Sequence, residues 1–178
     1  MKRVTGFFVL TLFFLSLACW VFAVEKGMKA KAELYTPEGE RAGSVMFEEA
    51  DKGLKISIKI TGLAPGKHAF HIHEAGVCMP PDFKSAGGHF NPENTKHGFL
   101  NPQGPHAGDL PNIEVDENGV FEGEVITKRL TLLPGEVNFL LKEGGTSVVI
   151  HQSPDDYITD PAGRGGARIA CGVIEKIE

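Results

Sequence analysis

Gly66-Lys67-His68-Ala69-Phe70-His71-Ile72-His73-Glu74 decides how the rest of the chain is read. His71 and His73 stand at i and i+2. Side chains on a β-strand alternate between faces, so these two imidazoles project to the same side. Two imidazoles on one face of a stiff strand make half of a metal site. His68 is an odd number of residues from His71 and falls on the opposite face, so it reads as structural. All seven histidines lie between His68 and His151, a clustering that packing alone does not explain.

Outward from this stretch the pattern is β. Residues 29–35, 43–49 and 54–60 alternate apolar with polar, the mark of half-buried strands. Asp51-Lys52-Gly53 and Glu117-Asn118-Gly119 are short hairpin signals. Further strands are expected at 113–116, 120–127, 137–141, 147–150 and 168–174, and no segment beyond the amino-terminal apolar run carries a sustained helical period. About eight short strands in one small domain, with no internal repeat and no linker, predict a sandwich or barrel.

Two stretches break the strand rhythm. The first runs from Glu74 to about Pro111 and carries Pro80, Pro81, Pro92, Pro102, Pro105 and Pro111. A loop this long is uncommon unless it is functional. It holds His89, His97, His106 and Asp109. The second, residues 152–167, follows His151 directly and is rich in Asp, Gly and Pro. Both can close over one face of the barrel. Neutral imidazoles suit Cu(II) and Zn(II), and three histidines with one carboxylate suit tetrahedral Zn(II).

The amino terminus belongs to a different layer of organisation. Lys2 and Arg3 precede an apolar run over residues 7–22, and Val21-Phe22-Ala23 is a small-residue cleavage site. Residues 1–23 therefore read as a secretory signal peptide and 24–178 as the mature domain. The run is short for a membrane span. Cys19, preceded by Ala18, offers a lipoprotein site as the alternative, although Ser16 stands where such a site has Leu. Only lipidation of Cys19 would place the protein on a membrane. Cleavage removes Lys2 and Arg3, leaving 16 basic residues against 23 acidic and a net charge of −7. That balance argues against a nucleic-acid partner. Cys78 and Cys171 remain as a pair, and an oxidising compartment favours a disulfide over two free buried thiols.

The motifs at 66–74, Ser-Ala-Gly-Gly-His-Phe-Asn-Pro at 85–92, His-Ala-Gly-Asp-Leu-Pro-Asn at 106–112, Val-Val-Ile-His at 148–151 and Gly-Gly-Ala-Arg-Ile-Ala-Cys-Gly-Val-Ile at 165–174 together resemble those of bacterial exported copper/zinc superoxide dismutases. The resemblance covers nearly all of the mature chain. It implies a flattened eight-stranded Greek-key β-barrel, an immunoglobulin-like sandwich with two long loops over the metal site. It implies copper on His71, His73, His89 and His151, and zinc on His89, His97, His106 and Asp109, with His89 bridging the metals as an imidazolate. Cys78 and Cys171 match the family's disulfide. Arg168 matches the arginine that guides the anion, and Asp155 the carboxylate linking a copper histidine to a zinc histidine. The activity implied is dismutation of superoxide in the periplasm. The second loop offers only Arg164 besides Arg168 as positive charge, so Lys84 and Lys96 are the further candidates for steering.

The resemblance makes a homodimer one possible assembly, but animal and bacterial members pair through different surfaces, so neither the oligomeric state nor an interface carries over. The alternative function is an extracytoplasmic copper or zinc binding or delivery module without dismutase activity. The filled ligand positions and Arg168 argue for the enzyme, as does the lack of a Met-rich or Cys-X-X-Cys copper site.

Overall fold

A computed structural model describes residues 27–177. The signal-peptide reading, Ala23 and Cys19 all lie outside these residues.

Ten strands form among the described residues: β1 (Lys29–Tyr35), β2 (Arg41–Ala50), β3 (Gly53–Ile60), β4 (Gly66–His68), β5 (Phe70–His73), β6 (Ile113–Val115), β7 (Phe121–Thr127), β8 (Ser147–His151), β9 (Arg168–Val173) and β10 (Glu175–Ile177). One 3-10 turn, Lys84–Ala86, is the helical exception. Eight strands form one curled antiparallel sheet in the order β5-β8-β9-β1-β2-β3-β7, with β10 also pairing β1. The neighbours β5–β8, β9–β1 and β3–β7 join strands far apart in sequence, as Greek-key crossovers require. β4 and β6 pair separately, and each leads into one edge strand of the large sheet. The expected all-β, eight-stranded Greek-key architecture is therefore the one observed.

Alternation puts Ala30, Ala32 and Leu34 of β1, Val45 and Phe47 of β2, and Leu54, Ile56, Ile58 and Ile60 of β3 inside. Phe70 and Ile72 of β5 meet Ile150 and Val148 of β8 in the same core. Each large apolar side chain so buried stabilises the fold by about 1.5–3 kcal/mol. β5 and β8 differ from β1–β3 in being buried on both faces. Their inner residues join the core, and their other face lies under the long loops.

Two local readings need correction. The stretch 66–74 is not one strand. It breaks at Ala69, so β4 pairs with β6 and β5 with β8. Ala69 bonds instead to Ser153 and His151 through its own main chain. The segment 137–141 is not a strand either. The Phe139 amide closes a turn onto Glu136, the Leu140 amide reaches back nine residues to Thr131, and Val137 is 70% exposed. The only ladder contact there is a single Thr131–Phe139 bridge.

The first long loop is fastened to β5 by main-chain bonds. Ile72 donates to Gly108 (2.9 Å) and accepts from Phe90 (2.8 Å), and Glu74 donates to Gly88 (3.0 Å). Isolated bridges then set His71 beside Asp109 and His73 beside His89. Gly108 is required by this approach: a Cβ there would lie 2.3 Å from the Ile72 carbonyl oxygen. The same loop is tied to β9 by the disulfide Cys78–Cys171, whose Cα atoms are 5.7 Å apart. That bond sits against Phe83, Ala86 and Val149.

A cross-link spanning 93 residues limits the unfolded chain strongly. Replacing both cysteines by serine is expected to lower the unfolding free energy by about 2–5 kcal/mol, read from denaturant midpoints.

Candidate metal centre

β5 presents His71 and His73 on the face opposite the core, and β8 adds His151 at its carboxyl end. The first long loop brings His89, His97, His106 and Asp109 over them. These seven residues are all buried. They form two donor groups within which the candidate ligand atoms lie within 4.8 Å of one another: His71, His73, His89 and His151, and His89, His97, His106 and Asp109. His89 belongs to both. Its ring centre is 4.0 Å from that of His71, 5.0 Å from His73, 5.1 Å from His97 and 5.5 Å from His106.

The hydrogen bonds decide which nitrogen each ring offers. A main-chain carbonyl only accepts, so the ring nitrogen facing it carries the proton. His73 Nδ1 donates to the Gly87 carbonyl (3.0 Å) and His151 Nδ1 to that of Gly166 (3.3 Å). Their Nε2 lone pairs therefore face each other, at 3.4 Å. His71 gives Nε2–H to Asp155 Oδ2 (2.9 Å), which leaves Nδ1 as its lone pair. His68 stands apart: both its nitrogens face carbonyls, of His151 and Ala64, each at 2.8 Å. It is structural, as its strand parity implied.

In the second group three Nδ1 atoms converge on one oxygen. Asp109 Oδ1 is 2.8 Å from His89, 3.1 Å from His97 and 3.2 Å from His106. Four donors about 2.0–2.1 Å from a common tetrahedral centre would stand roughly 3.3 Å apart, so this set is close to the spacing a zinc ion needs. The other Asp109 oxygen accepts from the Gly98 and His106 amides, both at 2.9 Å, which fixes the carboxylate.

Among the described residues, four buried side-chain nitrogens have no hydrogen-bond partner: Arg129 Nε and three imidazole nitrogens, His71 Nδ1, His89 Nε2 and His106 Nδ1. Each such atom costs about 1–3 kcal/mol when left unpaired, and the three imidazole nitrogens belong to the two donor groups. A bound cation removes that cost, so the residues fit two metal ions.

The electrostatics agree. Burial pushes His89 down to about 4 and His151 to about 3, and holds His73 well below the usual imidazole range, with neighbouring imidazoles adding to the effect. These rings are neutral donors at ordinary pH. Burial also opposes charge on His97, but hydrogen bonds to Asp109 and Asp155 outweigh it and raise that ring to about 9. Against the upward push of burial, the surrounding imidazoles keep Asp109 and Asp155 ionised well below the usual carboxylate range.

Asp155 joins the groups. Its Oδ2 takes His71 Nε2–H and its Oδ1 faces His97 Nε2, both at 2.9 Å. His71, His97 and Asp155 also form a cluster by distance, but its contacts are these hydrogen bonds. The Tyr157 amide donates to Oδ1 (2.7 Å), and Asn112 bonds both the amide and the carbonyl of Asp155. Gly163 leaves room for the carboxylate: a Cβ there would be 1.8 Å from Oδ1.

Arg168 lines a cleft of about 450 Å³ together with His73, His89 and His151. Its Nη1 donates to the Phe83 carbonyl (2.6 Å) and its Nη2 to that of Gly87 (2.7 Å). Both readings of this arginine, loop brace and charge beside the donors, are compatible with that position. The three other steering candidates are each paired with an acid: Lys84 with Asp82 (2.7 Å), Lys96 with Asp160 (3.0 Å) and Arg164 with Asp156 (3.8 Å). Sequence reasoning had assigned no role to Asn112, Tyr157 or Glu74. Glu74 Oε1 accepts from the Gly88 amide at 2.8 Å, and its position beside His73 was the one available signal.

The chain matches the family model of copper/zinc superoxide dismutase over residues 41–174. It is 50% identical over 175 residues to Cu-Zn superoxide dismutase 2 of Aquifex aeolicus, covering 98% of this chain and 99% of that protein. It is 43% identical over 148 residues to the Cu-Zn superoxide dismutase of Caulobacter vibrioides, covering 82% and 85%. Among solved structures, a SOD-like protein from Bacillus subtilis superposes with a TM-score of 0.78 at 45% identity, over 80% of this chain and 96% of that one. The Cu/Zn superoxide dismutase from Brucella abortus superposes with 0.67 at 34% identity, over 83% and 99%.

Proposed function

The chain belongs to the copper/zinc superoxide dismutase family, and from that premise we propose how its own residues divide the conversion of superoxide into dioxygen and hydrogen peroxide. His71, His73, His89 and His151 hold copper. His89, His97, His106 and Asp109 hold zinc, and His89 is shared. When bound, copper supplies a one-electron Cu(II)/Cu(I) couple, while zinc, which has no accessible redox change, fixes geometry. A delivery module is not favoured: the curated relatives described above are named as dismutases.

The observation that carries this reading is the position of His89. Its Nδ1 faces Asp109 at 2.8 Å, and its Nε2 is a buried nitrogen without a protein partner. One imidazole thus faces both donor groups, and Nε2 is placed to hold a proton for the peroxide product. Asp155 orients His71 and His97 from outside both groups. Arg168 offers a planar fork of donors to a small monoanion in the cleft.

Replacing His89 by alanine is expected to deplete both metals, whereas His73→Ala should empty mainly the copper site. Metal analysis of the purified variants decides, and normal occupancy of both sites in the His89 variant would refute the sharing.

Superoxide is an anion approaching a chain whose mature form carries net negative charge. Local positive potential must overcome that repulsion. The other candidate cations are paired with carboxylates, so Arg168 carries this role. With both metals verified in place, Arg168→Glu is expected to lower the dismutation rate far more than Arg168→Lys. The wild-type rate should fall as salt rises, because screening shortens the reach of the charge. An unchanged rate in Arg168→Glu would transfer the guiding role to Lys84 or Lys96.

We further propose export to the periplasm, supported by the charged and apolar pattern of residues 1–23, and assembly as a homodimer. Mass spectrometry of protein from the native compartment should find the amino terminus at Val24. A retained, lipid-modified Cys19 would instead anchor the protein to a membrane.

A further inference from the structure

Arg129 lies just beyond β7, on none of the elements that carry a donor, yet it reaches the second donor group from behind. Its Nη2 donates to the Asp109 main-chain carbonyl at 3.3 Å. Its guanidinium carbon stands 5.0 Å from the centre of the Phe99 ring, within the range of a cation–π contact. Between these two contacts lies one hydrogen bond, from the Gly98 amide to Asp109 Oδ2 at 2.9 Å. Arg129 therefore touches both sides of the link that holds the His97 segment to the Asp109 turn.

The contacts continue into the second loop. The Phe99 ring is 5.4 Å from that of Tyr157, and the Leu100 amide donates to the Tyr157 carbonyl at 2.8 Å. The Tyr157 hydroxyl accepts from the Asn112 amide at 2.7 Å, and Asn112 bonds the main chain of Asp155. A line of contacts thus runs from Arg129 through Phe99 and Tyr157 to the carboxylate that orients His71 and His97.

We propose that Arg129 is a positioning residue for the zinc group: it pins the Asp109 turn and the Phe99 ring together, so that His97 and Asp109 stand in register before an ion arrives. The inference rests on the assignment of zinc to His89, His97, His106 and Asp109. The residue type matters. A guanidinium stacks its flat face on an aromatic ring and donates from its edge at the same time, whereas an ammonium cannot do both. Residues that orient metal ligands typically change affinity by about 10–100-fold when removed, because the ligands must then be ordered at the moment of binding.

The test compares the full metal-loaded protein with Arg129→Met and Arg129→Lys, titrating each with a chelator and following released zinc and copper separately. Denaturant midpoints in excess chelator report the fold itself. Arg129→Met is expected to release zinc at roughly tenfold lower chelator concentration, with copper release shifted much less and the chelator-saturated midpoint nearly unchanged; Arg129→Lys should recover only part of the difference. Zinc release at the wild-type concentration would overturn the proposal. So would an equal shift in zinc, copper and the denaturant midpoint, which is the mark of a merely structural arginine. Asp109→Ala serves as the control. If that variant keeps zinc at wild-type affinity, the zinc assignment fails, and the proposal falls with it.

Discussion

The structure depends on one carboxylate placed between two imidazoles. Asp155 comes from the second long loop, His71 from β5 and His97 from the first long loop, and none is near another in sequence. Burying a carboxylate is costly unless its lone pairs are matched, and here they are: two imidazoles and one amide share its oxygens. Because the partners sit on three separate elements, the bonds that satisfy the charge also hold those elements together. The loops are thus arranged by a requirement of solvation as much as by shape.

Asp109 repeats the logic inside the first loop. Three imidazoles crowd one of its oxygens and two amides hold the other. On an open sheet face a cluster this polar would be hydrated. Here β5 and β8 are covered on both sides, with Phe70, Ile72, Val148 and Ile150 toward the core and the pinned loop above, so the cluster is tolerated only because its groups satisfy one another. The main-chain bonds between Ile72, Phe90 and Gly108 fix the height of that cover.

Much of this was legible in the amino-acid sequence. Period-two alternation marked β1 to β3, and the i, i+2 spacing of His71 and His73 correctly gave their shared face. Alternation does not say which strand pairs with which, however, so the break at Ala69 was invisible: both halves of 66–74 keep the same parity. The segment 137–141 misled for the opposite reason. Its apolar residues suit a strand, but the turn after Pro134 and Gly135 leaves Val137 in solvent. The histidine and aspartate donors were readable because their chemistry resides in the side chain. Asn112, Tyr157 and Arg129 were not, because they act largely on main-chain atoms of residues distant in sequence.

The Gly87 carbonyl oxygen accepts from His73 and from Arg168 at once. It is a common datum point. The ring proposed to offer a lone pair to copper and the cation proposed to receive the anion are both measured from the same atom. A displacement of the loop at Gly87 therefore carries the two together, and their mutual spacing is less sensitive to loop motion than either position alone. The alignment of the two side chains is thereby protected at the point where the loop leaves its one short 3-10 turn.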